Sequence, residues 1–209
     1  MASVADWLSG LFAFLGPWGV LVGLFLAFVI DAAIIPTLPE LAVVLSYLGF
    51  LYTQPGTDPL SWALLLLAMA VCGEVVGNTL MFLWVRKLVV DRGHLPKMID
   101  RAMRGWTNLM IVPDERIILV NRLAPVVPFV GAFIAVVGWS FRKSLAYIVL
   151  GSVAKYGLLL VLVGFLGVVY DPGTATLVTV VAVLVLVAVS VGASSLYRRR
   201  VAAPPGGAA

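Results

Sequence analysis

A single cysteine, Cys72, and a single histidine, His94, stand in 209 residues. One thiol inside an apolar run offers neither a disulfide framework nor a metal-ligand cluster. One histidine in a loop leaves no second imidazole for a His-based metal centre. Charge is scarce as well: only 11% of residues are Asp, Glu, Lys or Arg, and no basic residue precedes Arg86. Without a basic start or a small-residue cleavage site after an early apolar run, no cleaved leader is expected. A soluble domain carries about 25% charged residues, so the composition excludes an ordinary water-facing globule.

Hydrocarbon fills the space that charge leaves. Apolar residues make up 62% of the chain and the mean hydropathy is +1.10. The expected class is an all-α integral membrane protein, one membrane domain over residues 1–200. At about 20 residues per crossing, the length allows roughly four transmembrane helices plus shorter pieces. All 14 Lys and Arg lie between Arg86 and Arg200, with seven in the stretch 86–116 and Arg198, Arg199 and Arg200 after the last apolar run. The loops around Asp58 and Asp171 carry acids and no bases. The positive-inside bias then predicts a cytoplasmic 86–116 loop and both termini in the cytoplasm, in the cell membrane of a prokaryote. A membrane surface accounts for the basic loop, and no nucleic acid partner is expected.

Proline divides the apolar runs unevenly. Residues 11–30, 62–85, 145–169 and 174–196 read as spans. Residues 32–51 and 117–139 are short and Pro-interrupted, and read as re-entrant hairpins, the first entering from outside and the second from the cytoplasm. Hairpin-then-span, repeated with opposite orientation, is an inverted repeat. In the 86–116 loop, Ile99, Met103, Trp106 and Met110 recur at helical spacing. They predict an interfacial helix over 97–110, lying in the headgroups or on the protein's own cytoplasmic face. The Ala/Pro/Gly tail 201–209 is expected to be disordered.

The two broken segments carry the ionisable residues. The first reads Asp31-Ala-Ala-Ile-Ile-Pro36-Thr-Leu-Pro39-Glu40, the second Asn121-Arg122-Leu-Ala-Pro125-Val-Val-Pro128. Pro36, Pro39, Pro125 and Pro128 lack backbone donors and unwind the chain around them. Non-helical backbone at membrane depth persists only in protein or beside a wet cavity. A charge at the bilayer centre costs about 2.5–3.5 kcal/mol on insertion scales, so partners are expected. Arg122 is predicted to pair with Glu40, Asp31 or an anionic headgroup through its planar fork, or else to snorkel to the cytoplasmic headgroups. Asp31 bounds the first span or joins the site. Glu74 and Asn78, four residues apart, share a helix face, beside the small-xxx-small pair Gly73 and Gly77. Lys155, with Ser152 and Tyr156 near it, is either a salt-bridge partner of Glu74 or a site residue. The expected substrate- or proton-binding set is Asp31, Glu40, Glu74, Asn78, Arg122 and Lys155.

These stretches resemble the DedA superfamily, also called VTT-domain or SNARE-associated membrane proteins. Asp31-x4-Pro36-x-x-Pro39-Glu40 is similar to that family's acidic, Pro-containing element, with slightly different spacing. Gly73-x-x-x-Gly77-Asn78 is similar to its Gly-x-x-x-Gly-Asp stretch, with Asn in place of the acid. Arg122-x-x-Pro125-x-x-Pro128-Phe129, followed by Gly131, Phe141 and Gly151, resembles the form in the eukaryotic scramblase branch; many bacterial members have Arg where Pro128 stands. The likeness covers about residues 15–170. It implies facing re-entrant hairpins, movement of lipid headgroups (polyprenyl phosphate or anionic phospholipid) and dependence on the proton motive force, with Asp31, Glu40 and Arg122 in the acidic and basic roles. The Asn78 departure removes one proton-carrying acid.

The expected function is a lipid transporter, flippase or scramblase moving an anionic headgroup, with proton coupling. The alternatives are a proton-coupled exporter of small molecules, which an Arg in the site disfavours for cations, and a scaffold whose charges only fix packing. No enzymatic activity and no cofactor are expected, since a membrane lipid phosphatase or phosphotransferase needs more histidines or a clustered Asp motif. A homo-oligomer is left open.

Overall fold

The computed structural model describes residues 4–33, 38–54, 56–92, 114–123, 129–169, and 181, 185, 188 and 192. The expected interfacial helix 97–110, most of the expected span 174–196, the tail 201–209, and Pro36, Pro125 and Pro128 lie outside these residues. All elements among them are helical: α1 (Val4–Ala33), α2 (Pro39–Thr53), α3 (Pro59–Val85) with a π-helical extension Arg86–Val90, α4 (Ile117–Leu123), α5 (Val130–Val137) and α6 (Phe141–Val169).

Three segments are long and apolar enough to cross a membrane: Gly16–Ala33, Pro59–Val90 and Phe141–Phe165. Only 22%, 33% and 33% of these windows are buried in the protein. Leu64, Leu80, Trp84, Leu158, Val161 and Phe165 all project outward, far more apolar surface than water tolerates on a monomer. The surrounding solvent is lipid, and the chain is an integral membrane protein.

Local chemistry sets the helix ends. Gly16 takes a left-handed backbone (φ 62°) immediately before Pro17, a conformation glycine adopts without the Cβ penalty. Gly16 therefore marks a kink within α1, inside the apolar run 11–30. Asp58 caps α3 by accepting from Ser61 N–H at 2.8 Å, with Pro59 in the first turn, where its missing donor costs nothing. The helix continues past the expected end at Val85 through a π turn to Val90. α6 begins at Phe141, one turn ahead of the expected start.

Direction follows from paired contacts. A Cβ added at Gly73 would lie 2.7 Å from the Phe25 carbonyl oxygen, and one at Gly77 2.7 Å from that of Val29. The rising numbers on both sides make α1 parallel to α3. At the Gly16 end, Pro17, Trp18 and Leu21 share an open apolar groove of about 430 Å³ with Phe50, Gln54, Thr57, Trp62 and Leu65. Phe82 stacks on Phe141 at 4.3 Å at the opposite end, so α6 runs antiparallel to α3. Tyr47 approaches Gly164 and Glu40 reaches Lys155, which makes α2 parallel to α6. The first span expected from the sequence would run against α3; instead the Gly16 end of α1 lies beside the α2–α3 turn, with Phe25 and Val29 meeting Gly73 and Gly77 in parallel order.

Two apolar clusters result. Phe28, Val43, Tyr47, Trp62, Leu66 and Tyr156 fill the end near the α2–α3 turn, and Phe82, Val85, Ile117, Ile134 and Ile148 fill the other. Exposed Arg86, Lys87, Arg92, Arg116, Arg142 and Lys143 decorate that second end.

Among the described glycines the tightest contact is at Gly131, where an added Cβ would stand 2.3 Å from the Asn78 carbonyl oxygen. Gly131→Ala is expected to destabilise the fold by about 1–3 kcal/mol, since neighbouring backbone must shift. Gly157, with nothing within 4 Å of its added Cβ, reverses the sign: Gly157→Ala stabilises by about 0.5–1 kcal/mol. Denaturant titration in detergent reads both. Asp58 supplies a pH signature: the Ser61 side chain, then the Ser61 N–H, hold its carboxylate below its ordinary value. Its contribution is therefore complete above the ordinary carboxylate range and is lost as pH falls through the lowered value. The acid-side loss of thermal stability is expected to shrink in Asp58→Asn, which keeps a capping oxygen without the titration.

Candidate functional site

Depth makes the central charges unusual. Lys155 is midway between Phe141 and Val169 on α6, about 21 Å from each end at 1.5 Å per residue. Glu74 sits near the middle of Pro59–Val90. Both occupy the level where an unpartnered charge is most costly.

One face of α6 serves both acids. Ser152, Lys155 and Tyr156 have the i, i+3, i+4 spacing that stacks side chains on one side of a helix. Lys155 forms an ion pair with Glu40, which occupies the first turn of α2 directly after the buried Pro39. The Lys155 ammonium also lies 5.2 Å from the centre of the Tyr156 ring. Tyr156 donates from its hydroxyl to Glu74 Oε1 at 3.0 Å, and its ring edge meets buried Phe28 at 5.0 Å.

Glu74 is 1% exposed. Its second oxygen, Oε2, lies 2.6 Å from Ser152 Oγ, which is also 2.7 Å from the Ile148 carbonyl. A serine hydroxyl carries one proton. Donated to Glu74, it holds a carboxylate; donated to Ile148, it leaves Oγ free to accept from a protonated Glu74. The same heavy-atom positions therefore accommodate Glu74 with or without a proton.

Asn78 does a different job from its neighbour. Its amide donates to the Glu74 carbonyl at 2.9 Å, and its Oδ1 accepts from Gly131 N–H at 3.1 Å. That N–H belongs to the first turn of α5, where no helical carbonyl is available. Phe129, just ahead, has a left-handed backbone (φ 49°), uncommon for a bulky residue, so the chain enters α5 through a sharp bend tied to α3. Spacing along the chain offers no partner for Asn78; Gly131, two residues after Phe129, is the available signal.

Among the expected site residues, the structure gathers Glu40, Glu74, Asn78 and Lys155 at mid-depth. Asp31 is half-buried in the last turn of α1, within the turn whose Val29 and Ala32 meet Gly77. Arg122 is on α4 by its backbone, and its side chain lies outside the described residues. Neighbouring Asn121, with Ile117, Ile118, Val130, Phe133 and Trp139, lines a narrow cleft between α4 and α5. Lys155 bridges to Glu40 in place of the Glu74 partner that the sequence also allowed, and the expected pairing of Arg122 lies outside the described residues. The cause is the path of α2, which starts beside the middle of α6 and delivers Glu40 there. The apolar groove near Trp18 is remote from this chemistry and holds no acid or base.

No family model, curated protein or solved structure matches the chain. Asn78→Leu strands the Gly131 N–H in a buried contact and is expected to cost about 1–3 kcal/mol. Thr79, which among the described residues bonds the Val75 carbonyl of its own helix, is the control: Thr79→Val is expected to change stability by less than about 0.5 kcal/mol. Unfolding by denaturing detergent, followed by circular dichroism, measures the difference.

Proposed function

We propose that the protein moves an anionic lipid headgroup across the bilayer, as a flippase- or scramblase-like transporter, with protons exchanged at its buried acids. The observation that carries this reading is the Glu40–Lys155 pair at the centre of a membrane-length helix, one turn from a buried glutamate with proton-holding geometry. Intramembrane ionisable residues mark substrate pathways and proton relays by default.

The architecture supports it. α1 runs inward from the Asp58 end to Ala33, and α2 runs back to that end from Pro39. α4 starts beside α6 at the other end, where Glu115 accepts from Ser140 N–H at 3.3 Å, and α5 returns to that end. We read these as two oppositely oriented re-entrant hairpins of an inverted repeat, with a fourth span over 174–196 and membership of the DedA superfamily. Broken segments facing each other at the midplane are how such repeats build a substrate site. The basic end is assigned to the cytoplasm; the Gly16 end of α1 then lies on the outer side, in place of the cytoplasmic N-terminus expected from charge alone. In this reading Arg122, at the second hairpin, meets phosphate with its planar fork, while Asp31, Glu40 and Glu74 carry protons. The membrane potential supplies about 2.3 kcal/mol per charge per 100 mV to such an exchange.

Reconstitution in vesicles tests the proposal. Wild type is expected to expose a fluorescent anionic phospholipid on the inner leaflet to an external quencher. Arg122→Ala and Glu40→Ala are expected to lose at least about tenfold in rate, a transition-state difference of about 1.4 kcal/mol, while remaining monodisperse. Wild-type vesicles no faster than empty ones sink the idea, and drug-dependent proton flux without lipid flux replaces it with an exporter.

A further inference from the structure

The Glu40–Lys155 pair is partly open, unlike Glu74. Side-chain exposure is 26% for Lys155 and 18% for Glu40. Around α6, Lys155 stands between two surfaces. Ser152 and Tyr156 turn inward, whereas Ala154, Leu158, Val161 and Phe165 form an exposed apolar stripe running from its level toward the Val169 end. An ammonium at mid-depth thus borders a surface suited to acyl chains.

The geometry points to Lys155 as a binding site for a tetrahedral oxyanion, the phosphate of a lipid headgroup or a free oxyanion, with Glu40 as a tethered competitor occupying that site at rest. This inference rests on the lipid-moving reading and deepens it. A carboxylate and a phosphate offer an ammonium the same kind of charged acceptor oxygen, so they compete for Lys155. At rest the pair is neutral. Adding a monoanion would leave one net negative charge in a low-dielectric site, which is costly, unless the displaced Glu40 takes up a proton. One proton is then bound per anion, the proton resting on the Glu40 carboxyl, and the site is neutral in both states. The Tyr156 ring keeps its contact with the ammonium throughout, because a π face does not compete for the same N–H directions. Titratable side chains on the elements around the pair include Asp31 on α1, Tyr47 on α2, Cys72 and Glu74 on α3, and Tyr147 and Tyr156 on α6, with Arg142 and Lys143 at the far end of α6.

A tethered competitor makes a prediction of opposite signs. Removing it frees the site; removing the ammonium abolishes the site. A pair that only holds helices together gives the same sign for both changes, or none.

The test uses the full chain in phosphatidylcholine nanodiscs titrated with phosphatidylglycerol, a phosphodiester that stays singly charged, with bound lipid counted by native mass spectrometry. Glu40→Gln is expected to bind phosphatidylglycerol about fivefold more tightly, because the competent state is no longer depleted. Lys155→Gln is expected to bind about tenfold more weakly, and Lys155→Arg to restore binding. Binding of phosphatidylglycerol is expected to take up about one proton in wild type and none in Glu40→Gln, read from the buffer dependence of the binding heat. Should a neutral variant fail to fold, the Lys155→Arg protein and the wild-type proton uptake decide. Equal weakening in both neutral variants, unchanged affinity in both, or a wild type that binds without proton uptake overturns the inference. Inorganic sulfate, titrated separately, distinguishes the sources: competition with phosphatidylglycerol assigns a general oxyanion site, and lipid binding without sulfate binding assigns a headgroup site. Opposite signs without lipid movement leave the oxyanion site standing and remove the transport reading. Lipid movement in wild type with like signs does the reverse.

Discussion

An ammonium and two carboxyl groups at the centre of a bilayer-length bundle must find their partners inside the protein, because hydrocarbon supplies none. That constraint organises the middle of the structure. Helix α6 meets it with one face: Lys155 takes Glu40 from α2, while Ser152 and Tyr156 take Glu74 from α3. Breaking a buried pair on one side costs about 3–5 kcal/mol, so the contacts that hold three helices in register are also those that hold the charges.

Close backbone approach is the second condition. Gly73 and Gly77 bring α1 against α3, and Gly131 brings α5 against the Asn78 backbone. In lipid, helices gain little from hiding apolar surface and much from such contact. The approach also shortens the distance over which Asn78 works: one amide joins the Glu74 carbonyl to the start of α5. A helix of eight residues, too short to be stable alone, is fixed at its first turn by a residue on a membrane-crossing one.

Aromatic contacts close the two ends. Phe50 on Trp62, with the Trp62 indole donating to the Ser46 carbonyl at 3.3 Å, binds α2 to α3 near the Asp58 turn. Phe82 on Phe141 does the same between α3 and α6 at the basic end. The charged centre is thus sealed above and below by apolar clusters, with a partial opening beside Lys155.

Composition alone determined the solvent: 62% apolar residues and so few charges leave no water-soluble arrangement, and the long runs fix helices because lipid demands internal backbone hydrogen bonds. Glu40, Glu74, Asn78 and Lys155 stood out as polar residues in apolar surroundings, and the glycine spacing at 73 and 77 marked a helix contact. Which acid meets which base was not legible. Pairing depends on the depth at which α2 begins and on α1 lying parallel to α3, and both are set by contacts between residues tens of positions apart. A linear sequence records that a charge needs a partner; only the packed helices decide which partner arrives at the same depth.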